Sequence, residues 1–83
     1  MSKCKHLAIR CMDFRLSKKL FRWMAKRGYI GDCDELSYAG ASKKIVNSES
    51  RSVVLADLEL AVHKHGVCHI ILVHHSHCGA YQK

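Results

Sequence analysis

The sequence lacks every feature that marks a linker, a membrane span or a secreted chain. It contains no proline, no internal repeat and no low-complexity tract, so we expect one domain over residues 1–83. No segment approaches the roughly 20 apolar residues that a membrane span needs. Residues 1–6 are not followed by the long apolar stretch of a signal peptide. The sequence therefore predicts neither a membrane protein nor a secreted one.

Acidic residues are also scarce. Seven Asp and Glu stand against 14 Lys and Arg, which gives a net charge of +7. Such a charge is compatible with an anionic partner, but the sequence shows no base-stacking motif, so nucleic acid is not the expected partner. The apolar content of 48% and the charged content of 25% are those of an ordinary folded protein and argue against disorder.

The cysteines do not form a disulfide pattern. There are five of them, an odd number, in a chain that shows no secretory signal. We therefore expect a reducing, cytoplasmic environment, in which cysteine combined with histidine indicates metal binding or catalysis.

Hydrophobic periodicity predicts alternating strands and helices. The strands are expected at 6–10, 34–39 and 67–73, and the helices at 17–27 and 51–65. Residues 41–50 are small and polar and predict a loop with a short helical turn. Expected helix N-caps are Ser17 for the first helix and Ser50 or Ser52 for the second. Gly28 and Gly66 are expected to end them. This order predicts an α/β fold: a small three-stranded, mostly parallel sheet with flanking helices.

Metal-ligand side chains follow two of the predicted strands. Cys11 comes directly after the first, and His75 and Cys78 come after the third with the spacing His-x-x-Cys. Ligands of an open parallel sheet bind at the carboxyl ends of its strands, where the strand order reverses. If the first strand lies between the other two, these residues flank that crevice. Thiolate and imidazole are the ligands of tetrahedral zinc, and three of them leave a fourth position open.

Two further elements border this crevice. Asp13 and Arg15 lie one residue apart on each side of Phe14, and in an extended segment they can point the same way. Arg15 can then hold the carboxylate of Asp13 as a bidentate pair, aimed at a metal-bound water. Gly40 follows the second strand, where a loop needs a tight turn or a close backbone approach.

The two clusters together resemble the β-class carbonic anhydrases. Cys11-Met12-Asp13-Phe14-Arg15 is similar to their Cys-x-Asp-x-Arg motif, and His75-Ser76-His77-Cys78-Gly79 is similar to their His-x-x-Cys-Gly motif. Ala39-Gly40 resembles their Ala-Gly element, and residues 58–73 resemble their crossover helix and the following strand. The resemblance covers residues 6–81, nearly the whole chain.

The resemblance implies a reaction and a role for each residue. Cys11, His75 and Cys78 would bind zinc, and Asp13 and Arg15 would be the catalytic dyad beside it. Gly40 and Gly79 would border the substrate. The implied reaction is reversible hydration of carbon dioxide to bicarbonate by a zinc-bound hydroxide. A homo-oligomer, dimeric or larger, is also expected, because a short three-stranded sheet leaves edges and apolar faces uncovered.

The chain departs from the family pattern at two histidines and in its length. His74 replaces a residue that is usually small, and His77 is an unusual member of the His-x-x-Cys motif. Family members also usually have an N-terminal helical arm and further elements after this motif, so the resemblance implies a short, C-terminally truncated member. Two alternatives stay open. One is a non-catalytic zinc-binding or oligomerisation module of the same fold, and the other is a hydrolase of carbonyl sulfide or carbon disulfide.

Overall fold

A computed structural model describes residues 2–76 and 78–80 of the chain. Its elements are, in order, β1 (His6–Cys11), α1 (Phe14–Lys26), β2 (Cys33–Tyr38), α2 (Lys43–Val46), α3 (Ser48–His65) and β3 (His69–Val73). The predicted α/β class is confirmed, and α2 is the helical turn expected within the loop at 41–50. No helix in the described part of the chain is long and apolar enough to cross a membrane.

The three strands form one parallel sheet in the order β2-β1-β3. The first strand is therefore central, as the crevice argument requires. Ile9 lies opposite Leu36 of β2 and Leu72 of β3. Because a central strand has neighbours on both sides, Leu7, Ala8 and Ile9 are almost completely buried.

The sheet is packed on both faces. Leu7 and Ile9 contact a core cluster that contains Ala61 of α3, whereas α1 contributes the buried side chains of Leu20 and Met24. Right-handed crossovers in this strand order place the helix after β1 and the helix after β2 on opposite faces. Burial of these apolar side chains stabilises the packing of the helices on the sheet.

The first helix begins earlier than its sequence pattern predicts. Its N-cap is Asp13, whose carboxylate accepts a hydrogen bond from the backbone N–H of Arg15 at 2.9 Å. The prediction of Ser17 as the cap was wrong, because the hydroxyl of Ser17 accepts a hydrogen bond from Arg10 at 3.0 Å. Gly28 follows the helix with a φ of 74°, which a residue with a side chain adopts only with strain.

The start of α3 was also predicted too late. Asn47 is its N-cap and accepts a hydrogen bond from the backbone N–H of Glu49 at 2.9 Å. The proposed cap Ser50 lies inside the helix and donates its hydroxyl to the carbonyl of Lys44 at 2.7 Å. The helix ends at Gly66, as the sequence predicted, and this glycine adopts the left-handed conformation with a φ of 73°.

Tyr38 connects the end of β2 to α3. Its hydroxyl donates to the Asp57 carboxylate at 2.6 Å. Burial and this hydrogen bond raise the pKa of Tyr38 to about 12. The unfolded value is about 10, so the stabilisation is complete below about pH 10 and is lost as the pH rises towards 12.

We predict that Tyr38→Phe lowers the free energy of unfolding by roughly 1–2 kcal/mol at neutral pH, because it removes a hydrogen bond to a charged group. Urea unfolding measures this loss. In an Asp57→Asn background the same substitution should cost much less. An equal cost in both backgrounds would show that the contact with Asp57 is not its origin.

Candidate metal centre

The three predicted metal ligands lie together at the carboxyl ends of the strands. Cys11 is the last residue of β1, and His75 and Cys78 lie on the segment after β3. The ligand atoms of these three residues are all within 4.8 Å of one another. The parallel pairing brings them together, since the register aligns Arg10 with Val73 and the two strands end side by side.

The imidazole of His75 is oriented by its own loop. Its Nδ1 lies 2.8 Å from the carbonyl oxygen of Ser76. A carbonyl oxygen only accepts, so Nδ1 carries the hydrogen and Nε2 presents a lone pair. Nε2 is buried and has no hydrogen-bond partner among the described residues. Such a nitrogen is costly to bury unless something binds it, and ligand histidines are commonly oriented in this way.

The two sulfur atoms are spaced as ligands of one ion. Cys11 Sγ and Cys78 Sγ are 3.7 Å apart, and both residues are buried. A disulfide would bring them to about 2.05 Å. Two thiolates at about 2.3 Å from a tetrahedral zinc ion lie about 3.8 Å apart. The three residues therefore fit a tetrahedral metal ion.

The surroundings of Cys11 favour its ligand form. Burial alone raises the pKa of its thiol. Backbone N–H groups at Gly40 and Asp13, together with the His75 and Cys78 side chains, outweigh burial and lower the pKa to about 7. The nearby Cys11 sulfur is in turn the main cause of a raised pKa at His75. A thiolate is thus accessible near neutral pH, as metal binding requires.

Asp13 and Arg15 form an ion pair at the start of α1. The Nε of Arg15 donates to both carboxylate oxygens of Asp13, at 3.0 and 3.1 Å, and Nη2 makes a further short contact. The pairing was predicted from an extended segment, and that geometry was wrong: Asp13 is the helix cap and Arg15 is the second helical residue. These hydrogen bonds from Arg15 hold the pKa of Asp13 well below its usual range, so the carboxylate remains ionised and fixed.

A cavity of about 410 Å³ opens beside the ligands. It is lined by Cys11 and Cys78, by the Asp13–Arg15 pair, and by Gly40 and Gly79. Gly40 has a φ of 79° and Ala41 a φ of 50°, so the chain makes two successive left-handed steps here. This turn places the backbone N–H of Gly40 within hydrogen-bonding distance of the sulfur of Cys11. The sequence predicted a tight turn or a close backbone approach at this glycine, and the structure has both.

Ser42 and Lys43, at the start of α2, support the metal-ligand segment, and sequence reasoning missed this role. Ser42 Oγ is hydrogen-bonded to His74 Nε2 at 2.9 Å, and Lys43 donates to the carbonyl of Ala80. His74 is exposed and is not a member of the ligand group. His77, the other unusual histidine, lies outside the described residues. The only sequence signal for Ser42 and Lys43 was their place just after Ala39-Gly40.

Comparison with known proteins gives a consistent picture. A family model described as "Putative carbonic anhydrase" matches residues 1–83. An uncharacterized protein of Rickettsia bellii is 31% identical over 86 residues, which cover 100% of this chain and 52% of that protein. An uncharacterized protein of Rickettsia conorii is 27% identical over 85 residues, covering 99% of this chain and 46% of that protein. The chain thus spans about half the length of these curated relatives. No solved structure matches it significantly.

We predict that a divalent metal protects Cys11 and Cys78 from alkylation. At a Zn²⁺ concentration 100 times the dissociation constant, mass action should slow iodoacetamide labelling of both thiols by roughly 100-fold. Peptide mass spectrometry of the reduced protein with and without metal measures the rates. Cys68 is exposed and outside the ligand group, so its rate is the internal control. Equal slowing at all three cysteines would indicate general compaction instead of a metal site.

Proposed function

The chain belongs to the carbonic anhydrase family whose model spans residues 1–83, and from that membership we propose that it catalyses the reversible hydration of carbon dioxide to bicarbonate. Zinc is the proposed cofactor, with Cys11, His75 and Cys78 as its ligands. The observation that best supports this proposal is the buried, unpartnered Nε2 of His75, within 4.8 Å of two cysteine sulfurs. A reducing compartment such as the cytoplasm would keep both thiols available.

The catalytic chemistry requires a nucleophile at neutral pH. Zinc bound by three protein ligands supplies it by lowering the pKa of a coordinated water to about 7. In the proposed mechanism Asp13 accepts a hydrogen bond from the attacking water and so orients it. An ionised carboxylate is an acceptor only, and the low pKa of Asp13 keeps it in this form.

Arg15 is proposed to keep Asp13 in this role. A carboxylate near a metal is itself a good ligand, and one that moved onto the ion would take the position needed by water. The hydrogen bonds from the Arg15 side chain and backbone hold Asp13 in place against this movement. Arg15 is thus a positioning residue.

The cavity suits a small apolar substrate and an anionic product. Met12 and Phe14 line it with apolar surface, and Gly40 and Gly79 present no side chain that would fill it. Carbon dioxide needs little more than such a surface next to the nucleophile. Arg15 lines the same cavity, and its charge offsets that of the paired Asp13, so the pair does not repel an anionic product.

We predict that zinc-loaded protein accelerates carbon dioxide hydration in stopped-flow measurements, and that Cys78→Ser removes the zinc ion held together with Cys11 and His75 and abolishes hydration. Asp13→Asn should keep the zinc and lower kcat/KM by roughly 100-fold or more, as loss of a positioned transition-state contact does. Cys68→Ser is the matched control and should leave both properties unchanged.

Metal content must be counted on the same samples. A zinc ion that is lost in Cys78→Ser, combined with hydration at background level in the unmodified chain, would contradict the enzymatic proposal and favour a non-catalytic zinc module of this fold. Faster hydrolysis of carbonyl sulfide than hydration of carbon dioxide would instead redirect the proposal to that substrate.

We also propose that the chain forms a homo-oligomer. Among the described residues β3 has only one strand neighbour, and it exposes Ile70 and Leu72 at 47% and 52%. Phe14, at the mouth of the candidate site, is 84% exposed. Apolar side chains at an open sheet edge favour association.

We predict a dimer or larger assembly in light scattering at micromolar concentration. Leu72→Lys should shift it towards monomer, because association would bury the new charge. Lys18→Glu, on the exposed side of α1, is a charge-changing control that should have no effect. A monomeric profile for the unmodified chain would contradict this proposal.

A further inference from the structure

A second group of metal-ligand side chains lies at the amino ends of the strands, at the other end of the sheet from the candidate metal centre. Within the described residues, Cys4, Asp34 and His65 have ligand atoms that are all within 4.8 Å of one another. Cys4 precedes β1, Asp34 is the second residue of β2, and His65 is the last residue of α3. The six residues of β1, at about 3.3 Å each, separate this end of the sheet from the candidate site by on the order of 20 Å.

The backbone holds the three residues in place. The N–H of Cys4 donates to the carbonyl of His65 at 3.0 Å, which fixes the chain before β1 against the end of α3. Asp34 is fixed by the sheet register, where it pairs with Leu7. His65 Nδ1 and Asp34 Oδ2 are 2.7 Å apart. Ordered strands and a helix end thus position the ligand atoms without any metal, which reduces the entropy lost on binding.

We propose that Cys4, Asp34 and His65 bind a divalent transition-metal ion with the ligand preference of zinc. A thiolate, a carboxylate and an imidazole are each zinc ligands, at about 2.0–2.3 Å from the ion. The three residues are half-buried and line a cavity of about 250 Å³, so the site is shielded while water retains access to complete the coordination. This proposal does not rest on the carbonic anhydrase function.

Only a small adjustment separates the present arrangement from a metal site. The ion would replace the hydrogen shared by His65 and Asp34, and the nitrogen–oxygen distance would grow from 2.7 Å to the roughly 3.3 Å of tetrahedral ligands. The side chain of His65 is 41% exposed and that of Asp34 is 30% exposed, so both have room to make this movement.

The charges around Cys4, Asp34 and His65 also favour the binding of a cation. In their ligand forms the Cys4 and Asp34 groups are both negative and lie close together, so they repel each other unless a cation lies between them. Lys3 lines the same cavity, but it is exposed and has a long flexible side chain that can move aside. The cavity lies at the carboxyl end of α3, where the helix dipole attracts positive charge.

Bound metal would tie three segments together. Cys4 leads into β1, Asp34 opens β2 and His65 closes α3, so one ion would cross-link the central strand, an edge strand and the crossover helix. The proposed role is therefore structural.

The test uses a chain from which the first site has been removed. In a Cys11→Ser/Cys78→Ser background we expect one Zn²⁺ per chain by elemental analysis, and a cobalt spectrum with the charge-transfer band of a single thiolate. Adding Cys4→Ser should abolish both signals. Adding Asp34→Asn, which keeps the side-chain shape, should weaken binding at least tenfold. Adding Cys68→Ser should change neither, because that thiol is outside the group.

The proposal would be overturned if the background chain bound no metal. It would also be overturned if neither Cys4→Ser nor Asp34→Asn, each added separately to that chain, weakened metal binding. Circular dichroism checks that each variant is folded. If the background chain does not fold, metal counting on the otherwise unmodified chain decides instead. There Cys4→Ser should remove one Zn²⁺ per chain relative to Cys68→Ser, and an unchanged count would overturn the proposal.

Discussion

The parallel pairing of β1 with a strand on each side is the constraint on which the rest of the molecule depends. It buries Leu7, Ala8 and Ile9 and aligns the ends of all three strands. At the carboxyl ends of the strands this alignment brings Cys11 to the segment that carries His75 and Cys78. At the amino ends it brings Asp34 to Cys4. Both clusters of ligand side chains are consequences of one hydrogen-bonded register.

The carboxylate of Asp13 has two roles, one in the fold and one in the candidate site. It caps α1 by accepting the backbone N–H of Arg15, and the side chain of the same arginine fixes its orientation. The direction of the helix and the direction of the carboxylate are therefore set together. A substitution at Asp13 perturbs a helix end as well as the proposed chemistry, so its effects on stability and on activity must be measured separately.

Sequence alone predicted the features that depend on local pattern. The apolar strands and the polar clusters after them predicted the sheet and, on the condition that the first strand is central, the three residues that meet at the carboxyl ends of its strands. The start of α1 was missed because Asp13 and Ser17 are both good caps, and the hydroxyl of Ser17 is occupied by Arg10, seven residues before it. The Ser42–His74 hydrogen bond and the Cys4, Asp34 and His65 group join residues about 30 positions apart, which no periodicity relates.

The sequence separation within the candidate site has a consequence for synthesis. Cys11 and Cys78 are neighbours in space but are 67 residues apart in the chain. On the ribosome β1 emerges before the other two strands of this sheet, and it has no partner on its β3 side until β3 is made. Contacts of such long range form late and slow folding. Until then the thiol of Cys11 lacks the other two ligands of its group, so capture of a metal ion by this site would mark the pairing of β1 with β3.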